Sequence, residues 1–218
     1  RNTGLVSIEI PASVNYIGTY AFRDCESLTS VIINSPNFTI ENNSFTNMAA
    51  PVPTMTIYVV NSEMKTYLES VLTNYDKSYI TVVAPDNGTS EIDGITYIYS
   101  AEGLQKFANE VNVNGKTFAG KTVKLANDID LQNAAWTPVG QTGATQFQGT
   151  FDGNGKTIYN LNIDKTSETG GNYSSGLFGW LNAAKVKNVT VNGATVKGNH
   201  NVGVIAGYLE TAGCSIEN

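Results

Sequence analysis

Two neighbouring stretches repeat each other, Leu5–Phe22, LVSIEIPASVNYIGTYAF, and Leu28–Phe45, LTSVIINSPNFTIENNSF. They are offset by 23 residues, and their apolar residues coincide. The coinciding pairs are Leu5 with Leu28, Ile8 with Val31, Ile10 with Ile33, Ile17 with Ile40, and Phe22 with Phe45. A short alternating strand that recurs at a fixed step is typical of a solenoid, in which each unit buries an apolar layer against the next.

A cap is expected after these repeats because two units cannot bury their own ends. TMTIYVV, residues 54–60, predicts a last strand, and NSEMKTYLESVLTNY, residues 61–75, predicts a helix with Ser62 as its N-cap. The helix would present one apolar stripe at helical spacing. This stripe consists of Met64, Tyr67, Leu68, Val71 and Leu72.

The first repeat resembles the BspA-like leucine-rich repeats of bacterial surface proteins. The pattern L-x-x-I-x-I-P-x-x-V-x-x-I-G-x-x-A-F-x-x-C-x-x-L runs from Leu5 to Leu28, and the resemblance extends to about Ala84. The second unit departs from the pattern, with Asn34, Glu41 and Met48 in place of Pro11, Gly18 and Cys25. The resemblance implies a leucine-rich-repeat module over residues 1–84.

PDNGTSEIDG, Pro85–Gly94, is rich in turn-forming residues and is interpreted as a linker. A second capping helix is predicted in SAEGLQKFANEVN, residues 100–112. Its apolar residues are spaced as one helix face. They are Leu104, Phe107, Ala108 and Val111.

GKTFAGKT, Gly115–Thr122, fits the phosphate-loop pattern G-x-x-x-x-G-K-[ST]. A phosphate loop needs a strand before it and a helix after it, so that free N–H groups and the helix dipole meet the phosphates. Here the predicted helix precedes the motif and a strand, TVKLANDIDL, residues 122–131, follows it. We therefore expect no nucleotide binding.

A second repeat system occupies the last third of the chain. TIYNLNI, Thr157–Ile163, aligns with KVKNVTV, Lys185–Val191, at a step of 28 residues, and the final SIEN continues it. LFGWL and IAGYL recur in the same frame and pair Trp180 with Tyr208. The alignment places three asparagines at one turn, where amides can hydrogen-bond along a stack. These predicted structural residues are Asn160, Asn188 and Asn218.

This half resembles the GLUG-type β-helix repeats of bacterial adhesins and surface-anchored peptidases. The resemblance is carried by FQGTFDGNGKTIYNLNI, GLFGWLNAAKVKN and GVIAGYLETAGCSIEN, and it covers residues 95–218. It implies a right-handed parallel β-helix that serves as a stalk or binding surface and continues beyond residue 218. The predicted fold is therefore all-β with two short capping helices, a leucine-rich-repeat solenoid followed by a β-helix.

Composition excludes several classes of function. The net charge is −6 with 15% charged residues, which does not fit a nucleic-acid-binding surface. No apolar run approaches the roughly 20 residues of a membrane span. The lone histidine, His200, lies among turn formers, and Cys25 and Cys214 lie far apart, so that no zinc site, Cys-His nucleophile or disulfide is expected.

The strongest enzymatic candidate is an acidic pair, because β-helices also carry polysaccharide lyases and glycosidases. Asp128 and Asp130 lie two residues apart on one predicted strand face, where like charges need a donor or a cation. They are weak candidates for a structural calcium ion, and no base accompanies them. Asp152, in FDGNG, is interpreted as a turn former.

These observations favour a non-catalytic protein of the extracellular space or outer cell surface, with adhesion to or binding of a host protein or glycan as its function. No catalytic residue, cofactor or metal is predicted. A carbohydrate-active β-helix enzyme and a passive stalk remain as alternatives. Because Arg1 stands close to a repeat already under way, the sequence is expected to be a piece of a longer chain.

Overall fold

The computed structural model describes residues 4–45, 55–73, 80–83, 85, 88–168 and 173–218. These residues form mostly β-structure, with two helices among them. The chain divides into two compact units, residues 1–86 and 87–218.

The first unit contains β1 (Ser7–Ile10), β2 (Tyr16–Ile17), β3 (Ser30–Ile33), β4 (Thr39–Ile40), β5 (Met55–Val59), α1 (Ser62–Val71) and β6 (Ile80–Val83). The second begins with β7 (Thr89–Ile92), β8 (Ile95–Ile98), α2 (Ala101–Asn112), β9 (Thr122–Leu125) and β10 (Ile129–Asp130). It continues with β11 (Thr150–Tyr159), β12 (Asn162–Lys165), β13 (Phe178–Leu181), β14 (Lys185–Asn192), β15 (Thr195–Gly198), β16 (Ala206–Leu209) and β17 (Ser215–Glu217).

The register predicted for the first two repeats is confirmed. In the parallel sheet β1–β3–β5–β6, Ile8 pairs with Val31 and Ile10 with Ile33. Strands β2 and β4 form a second small sheet in which Ile17 pairs with Ile40. The rings of Phe22 and Phe45 stack with centroids 5.0 Å apart. Equal spacing of the apolar residues thus places each of them on its counterpart in the next turn.

Helix α1 carries the predicted apolar stripe, and Met64 and Leu68 are buried. Two predictions here were wrong. The N-cap is Asn61, whose Oδ1 accepts a hydrogen bond of 2.8 Å from Met64 N–H, and Ser62 is the first helical residue. The strand before the helix is not the last, because β6 pairs in parallel with β5. Met48 and part of the predicted helix, residues 74–75, lie outside the described residues.

The second unit pairs successive segments of chain in three sheets, in which all strand pairs except β7–β8 are parallel. The largest has the order β17–β14–β11–β9–β8–β7, and β10 also pairs with β11. Strands β12 and β15 form the second sheet, and β13 and β16 form the third. Each stacked turn therefore contributes a strand to successive sheets, and the apolar side chains between the sheets form one core.

Helix α2 supplies that core with the residues that its spacing predicted. Leu104, Phe107, Ala108 and Val111 are all buried, and Ser100 Oγ caps the helix by accepting from Gly103 N–H. The Phe107 ring meets four others within 6.5 Å between centroids. These belong to Phe118, Phe147, Phe151 and Phe178. An aromatic cluster thus joins α2 to the stacked turns.

The interpretation of Pro85–Gly94 as a linker was wrong for its second half. Residues 89–92 form β7, which pairs antiparallel with β8 around Asp93 and Gly94. Both turn residues have positive φ, 52° and 77°, as an Asp-Gly hairpin turn requires. The Asp-Gly sequence therefore closes a hairpin, and Ile92 is 1% exposed in the core.

The register predicted between Thr157–Ile163 and Lys185–Val191 was also wrong. Val186 pairs with Phe151, and Ile158 pairs with Val191. The register shifts between Asp152 and Lys156, where Asn154 and Gly155 have positive φ. This bulge changes the step between paired residues only from 35 to 33, whereas the alignment assumed 28, the step that β13 and β16 keep. Most of the difference arises because the chain between β12 and β13 is longer than the chain between β15 and β16.

Two other predicted pairings in this unit are confirmed. Trp180 pairs with Tyr208, and Val186 pairs with Ile216. The glycine before Trp180 has a steric reason, because a Cβ on Gly179 would lie 2.4 Å from the carbonyl oxygen of Gly140 in the preceding turn. The recurring glycine in LFGWL therefore permits close approach of neighbouring backbones.

Candidate binding surface

The three asparagines do not form an amide-to-amide ladder. Asn160 Nδ2 donates to Asp130 Oδ1 at 2.8 Å, and Asn188 Nδ2 donates to Asp152 Oδ1 at 3.0 Å. Asn218 bonds to both backbone groups of Val189. The predicted stacking of Asn160 on Asn188 fails because paired residues of β11 and β14 are 33 to 35 positions apart rather than 28. Each of the three nevertheless bridges two turns of chain.

Four other asparagine side chains in the second unit share one kind of bond that the sequence did not reveal. Their Nδ2 groups donate to a backbone carbonyl one turn earlier, at 2.7–3.1 Å. The bonds run from Asn127 to Tyr99, Asn154 to Leu125, Asn162 to Asn133, and Asn199 to Thr166. Such bonds satisfy carbonyl groups where the chain leaves the sheets.

The acidic pair Asp128 and Asp130 is engaged in bonds of the same kind. Asp128 Oδ1 accepts from Thr157 N–H at 2.8 Å. Asp130 Oδ1 accepts from Asn160 and from Gln132 N–H, both at 2.8 Å, and these bonds lower the pKa of Asp130. Both carboxylates are exposed, and each holds the following turn. Among the described residues, no group of three or more His, Cys, Asp or Glu side chains could hold a metal ion.

Asp152 acts at the bulge of β11. Its Oδ1 accepts from Asn154 N–H and Asn188 Nδ2, and its Oδ2 lies 3.2 Å from Lys187 Nζ. Burial raises the pKa of this carboxyl, but the bonds from Asn188 and Asn154 and the Lys187 ammonium outweigh burial and lower it. Asp152 is thus a turn residue that also ties β11 to β14.

The other sequence candidates are dispersed. The phosphate-loop motif lies between α2 and β9, so the predicted order of helix, motif and strand is confirmed. His200 is exposed, Cys25 is a buried free thiol, and Cys214 is a partly buried one. Within the described part of the chain, none of them forms a hydrogen bond or ion pair with the acidic pair.

The third sheet of the second unit carries a surface that sequence reasoning found only in part. Trp180 on β13 and Tyr208 on β16 stack with ring centroids 4.3 Å apart and planes tilted by 50°. Tyr208 is 37% exposed, and Trp180 is partly exposed. Gly143 lies on another side of the indole, where a Cβ would stand 3.5 Å from Cζ3. Two aromatic rings on successive turns therefore form one outward platform.

Polar side chains adjoin this platform on three successive turns. Gln146 Oε1 accepts from Asn182 Nδ2 at 2.7 Å, and Gln146 Nε2 donates to Glu210 Oε2. Asn182 lies two residues after Trp180, and Glu210 lies two residues after Tyr208. We call Gln146, Trp180, Asn182, Tyr208 and Glu210 the aromatic–polar surface. The recurrence of LFGWL as IAGYL predicted the pairing of Trp180 with Tyr208. Gln146 lies on a turn outside that alignment and was not predicted.

This arrangement places apolar ring area near oriented amide and carboxylate groups. The described residues thus form a mostly β structure with leucine-rich-repeat-like repeats. A family model for the BspA type leucine rich repeat region, in six copies, matches residues 1–114, more than half of the chain. The chain belongs to this family.

One curated relative is halomucin of Haloquadratum walsbyi (strain DSM 16790 / HBSQ001). It is 30% identical over 221 aligned residues, which cover 94% of this chain and 2% of halomucin. The chain thus spans a small fraction of that relative's length. No solved structure matches this chain significantly. Neither of the described helices has the length and apolar character needed to cross a membrane.

Proposed function

We propose that this chain is part of a non-catalytic cell-surface protein and that its second unit binds a ligand, in adhesion to a host protein or glycan, through the aromatic–polar surface. The match to BspA type repeats and the similarity to halomucin both point to a surface protein rather than an enzyme. The observation that carries the proposal is the pairing of Trp180 with Tyr208 on successive turns, next to a bonded row of polar groups.

The repeat architecture supports the same proposal. We infer that the second unit is a right-handed parallel β-helix of GLUG type, because strands of successive turns pair in parallel in three sheets, apart from the antiparallel hairpin β7–β8. Stacked turns present one side chain type at a regular spacing of about 4.8 Å, and recognition can be built on such a face without a pocket. The repeat module 1–84 and the β-helix 95–218 are proposed as separate domains.

The test is retention of the purified chain on an array of extracellular-matrix proteins, mucins and glycans. We expect saturable retention that falls in the double variant Gln146→Ala/Tyr208→Ala. Tyr159→Ala is the matched control because Tyr159 is a similarly exposed tyrosine on β11. No retention on any partner would contradict the binding function and favour a passive stalk.

The enzymatic alternative is tested in parallel with pectic, mucin and glycosaminoglycan polysaccharides, with and without calcium. We expect no new reducing ends and no unsaturated products. Asp128 and Asp130 accept hydrogen bonds from the next turn, which gives them a structural use. Calcium-dependent products that disappear in Asp128→Asn would contradict this expectation and favour a lyase.

A further inference from the structure

We propose that the aromatic–polar surface binds a neutral saccharide. This inference rests on the proposed binding function and names the chemical class of its ligand. The apolar faces of sugar rings carry C–H groups that pack on aromatic rings, and Tyr and Trp combine such a ring with a polar tip. Tyr208 offers the more exposed ring, and Trp180 extends the platform into the preceding turn.

The polar groups of the surface suit neighbouring sugar hydroxyls. Both polar atoms of Gln146 are used, one by Asn182 and one by Glu210, so all three side chains are held in place. Asn182 Oδ1 and Glu210 Oε1 have no further hydrogen bond among the residues that the structure describes. A planar amide and a planar carboxylate with fixed orientations can accept from adjacent hydroxyl groups at little entropic cost.

Charge decides between neutral and anionic saccharides. Glu210 is the one charged member of the surface, and the whole chain carries a net charge of −6 with a pI of about 4.8. Sulfated or uronic-acid chains would therefore meet repulsion without a compensating cation. A neutral saccharide meets none, and its hydroxyl groups can donate to the carboxylate.

The experiment is calorimetry of the full chain with cellohexaose, chitohexaose and mannohexaose, and with heparin and galacturonate hexasaccharides as anionic probes. We expect saturable binding of at least one neutral hexasaccharide and weaker binding of both anionic ones. Tyr208→Ala should weaken binding about tenfold, and Tyr208→Phe about twofold or less, since the ring is retained. Tyr159→Ala should leave the affinity unchanged.

Tryptophan fluorescence gives a second readout. Trp136 is 5% exposed and donates to the Leu177 carbonyl, so a ligand-induced change in emission should come from Trp180 and vanish in Trp180→Phe. The inference is overturned if no neutral probe binds, if an anionic probe binds most tightly, or if Tyr208→Ala keeps the full affinity. Retention of deglycosylated host proteins that falls in Gln146→Ala/Tyr208→Ala would overturn it while the proposed function stands.

Discussion

Apolar side chains are buried near the first strands of the second unit and more exposed near its last strands. Val123, Phe151, Val186 and Ile216 occupy the same position in successive turns. The first three are fully buried, whereas Ile216 is 44% exposed. Val186 has a paired strand on each side, whereas Ile216 is paired on one side only within the described residues, and the exposures of the two side chains differ accordingly.

At the amino-terminal end, the hairpin β7–β8 and helix α2 bury their own apolar side chains, including Ile92 at 1% and Phe107 at 2% exposure. On the last turns, Val202, Val204 and Leu209 are 42–50% exposed. Hydrogen bonds between turns are found along the whole unit. Burial of an apolar side chain, by contrast, requires a strand or helix packed on each side of its own strand.

The largest effect is expected at the covered end. Phe107→Ala should lower the free energy of unfolding of the second unit by about 3–5 kcal/mol, because it removes a ring from the centre of the aromatic cluster. Denaturant unfolding followed by circular dichroism measures the change. Val113→Ala is the control, since Val113 follows the same helix and is 77% exposed. Equal effects of the two substitutions would refute the role given to α2.

A smaller loss of stability is expected when the hydrogen bond between Asn188 and Asp152 is removed. Asn188→Ala should destabilise the second unit by about 1–3 kcal/mol, because Asp152 loses a donor. Asn188 has a φ of 54°, so Asn188→Gly separates the lost bond from backbone strain. Asn192→Ala, an exposed neighbour, is the control. An unchanged melting transition in both Asn188 variants would remove this bond from the account.

Low pH should weaken the hydrogen bond between Asn188 and the Asp152 carboxylate. The pKa of Asp152 is lowered in the folded chain, so its contribution to stability is fully present above the unfolded value of about 3.9 and is lost as pH falls through the folded pKa. Unfolding midpoints measured between about pH 7 and pH 3 should fall in the acidic part of this range. Asp152→Asn should flatten that dependence, and an equal decline in the variant would argue against it.

The smallest effect on stability is expected at Ile216, on strand β17. Ile216→Ala should change the free energy of unfolding by less than about 0.5 kcal/mol, because the side chain is exposed. The same denaturant measurement applies, with Val186→Ala as the buried counterpart in register. A large loss at Ile216 would show that this end is covered in solution and would cancel the comparison.

The sequence predicted the first repeats well because their apolar residues keep one spacing. It failed at β11 because the chain between β12 and β13 is longer than its counterpart between β15 and β16, and a constant step of 28 cannot follow turns of unequal length. The hairpin around Asp93 and Gly94 was missed because the same residues mark both linkers and tight turns. Local patterns thus fixed which residues are buried, and turn geometry decided the pairing.

The sequence predicted part of the aromatic–polar surface. Trp180 and Tyr208 were paired by the recurrence of their flanking residues, and the structure confirms that pairing. Gln146 was missed because its turn shares no pattern with LFGWL, although Phe147 bridges to Leu181. The paired carboxylates were noticed for their charge, yet their partners, Thr157 and Asn160, lie a full turn away in the chain.

The bulge between Asp152 and Lys156 shows that neighbouring turns need not have equal length, since β11 and β14 stay paired on both sides of it. Extra residues leave the stack as loops, and lengthening a surface loop costs little free energy. Evolution can therefore insert or delete residues between strands while the core positions remain the same. A protein built in this way can vary its outer loops without having to acquire a new fold.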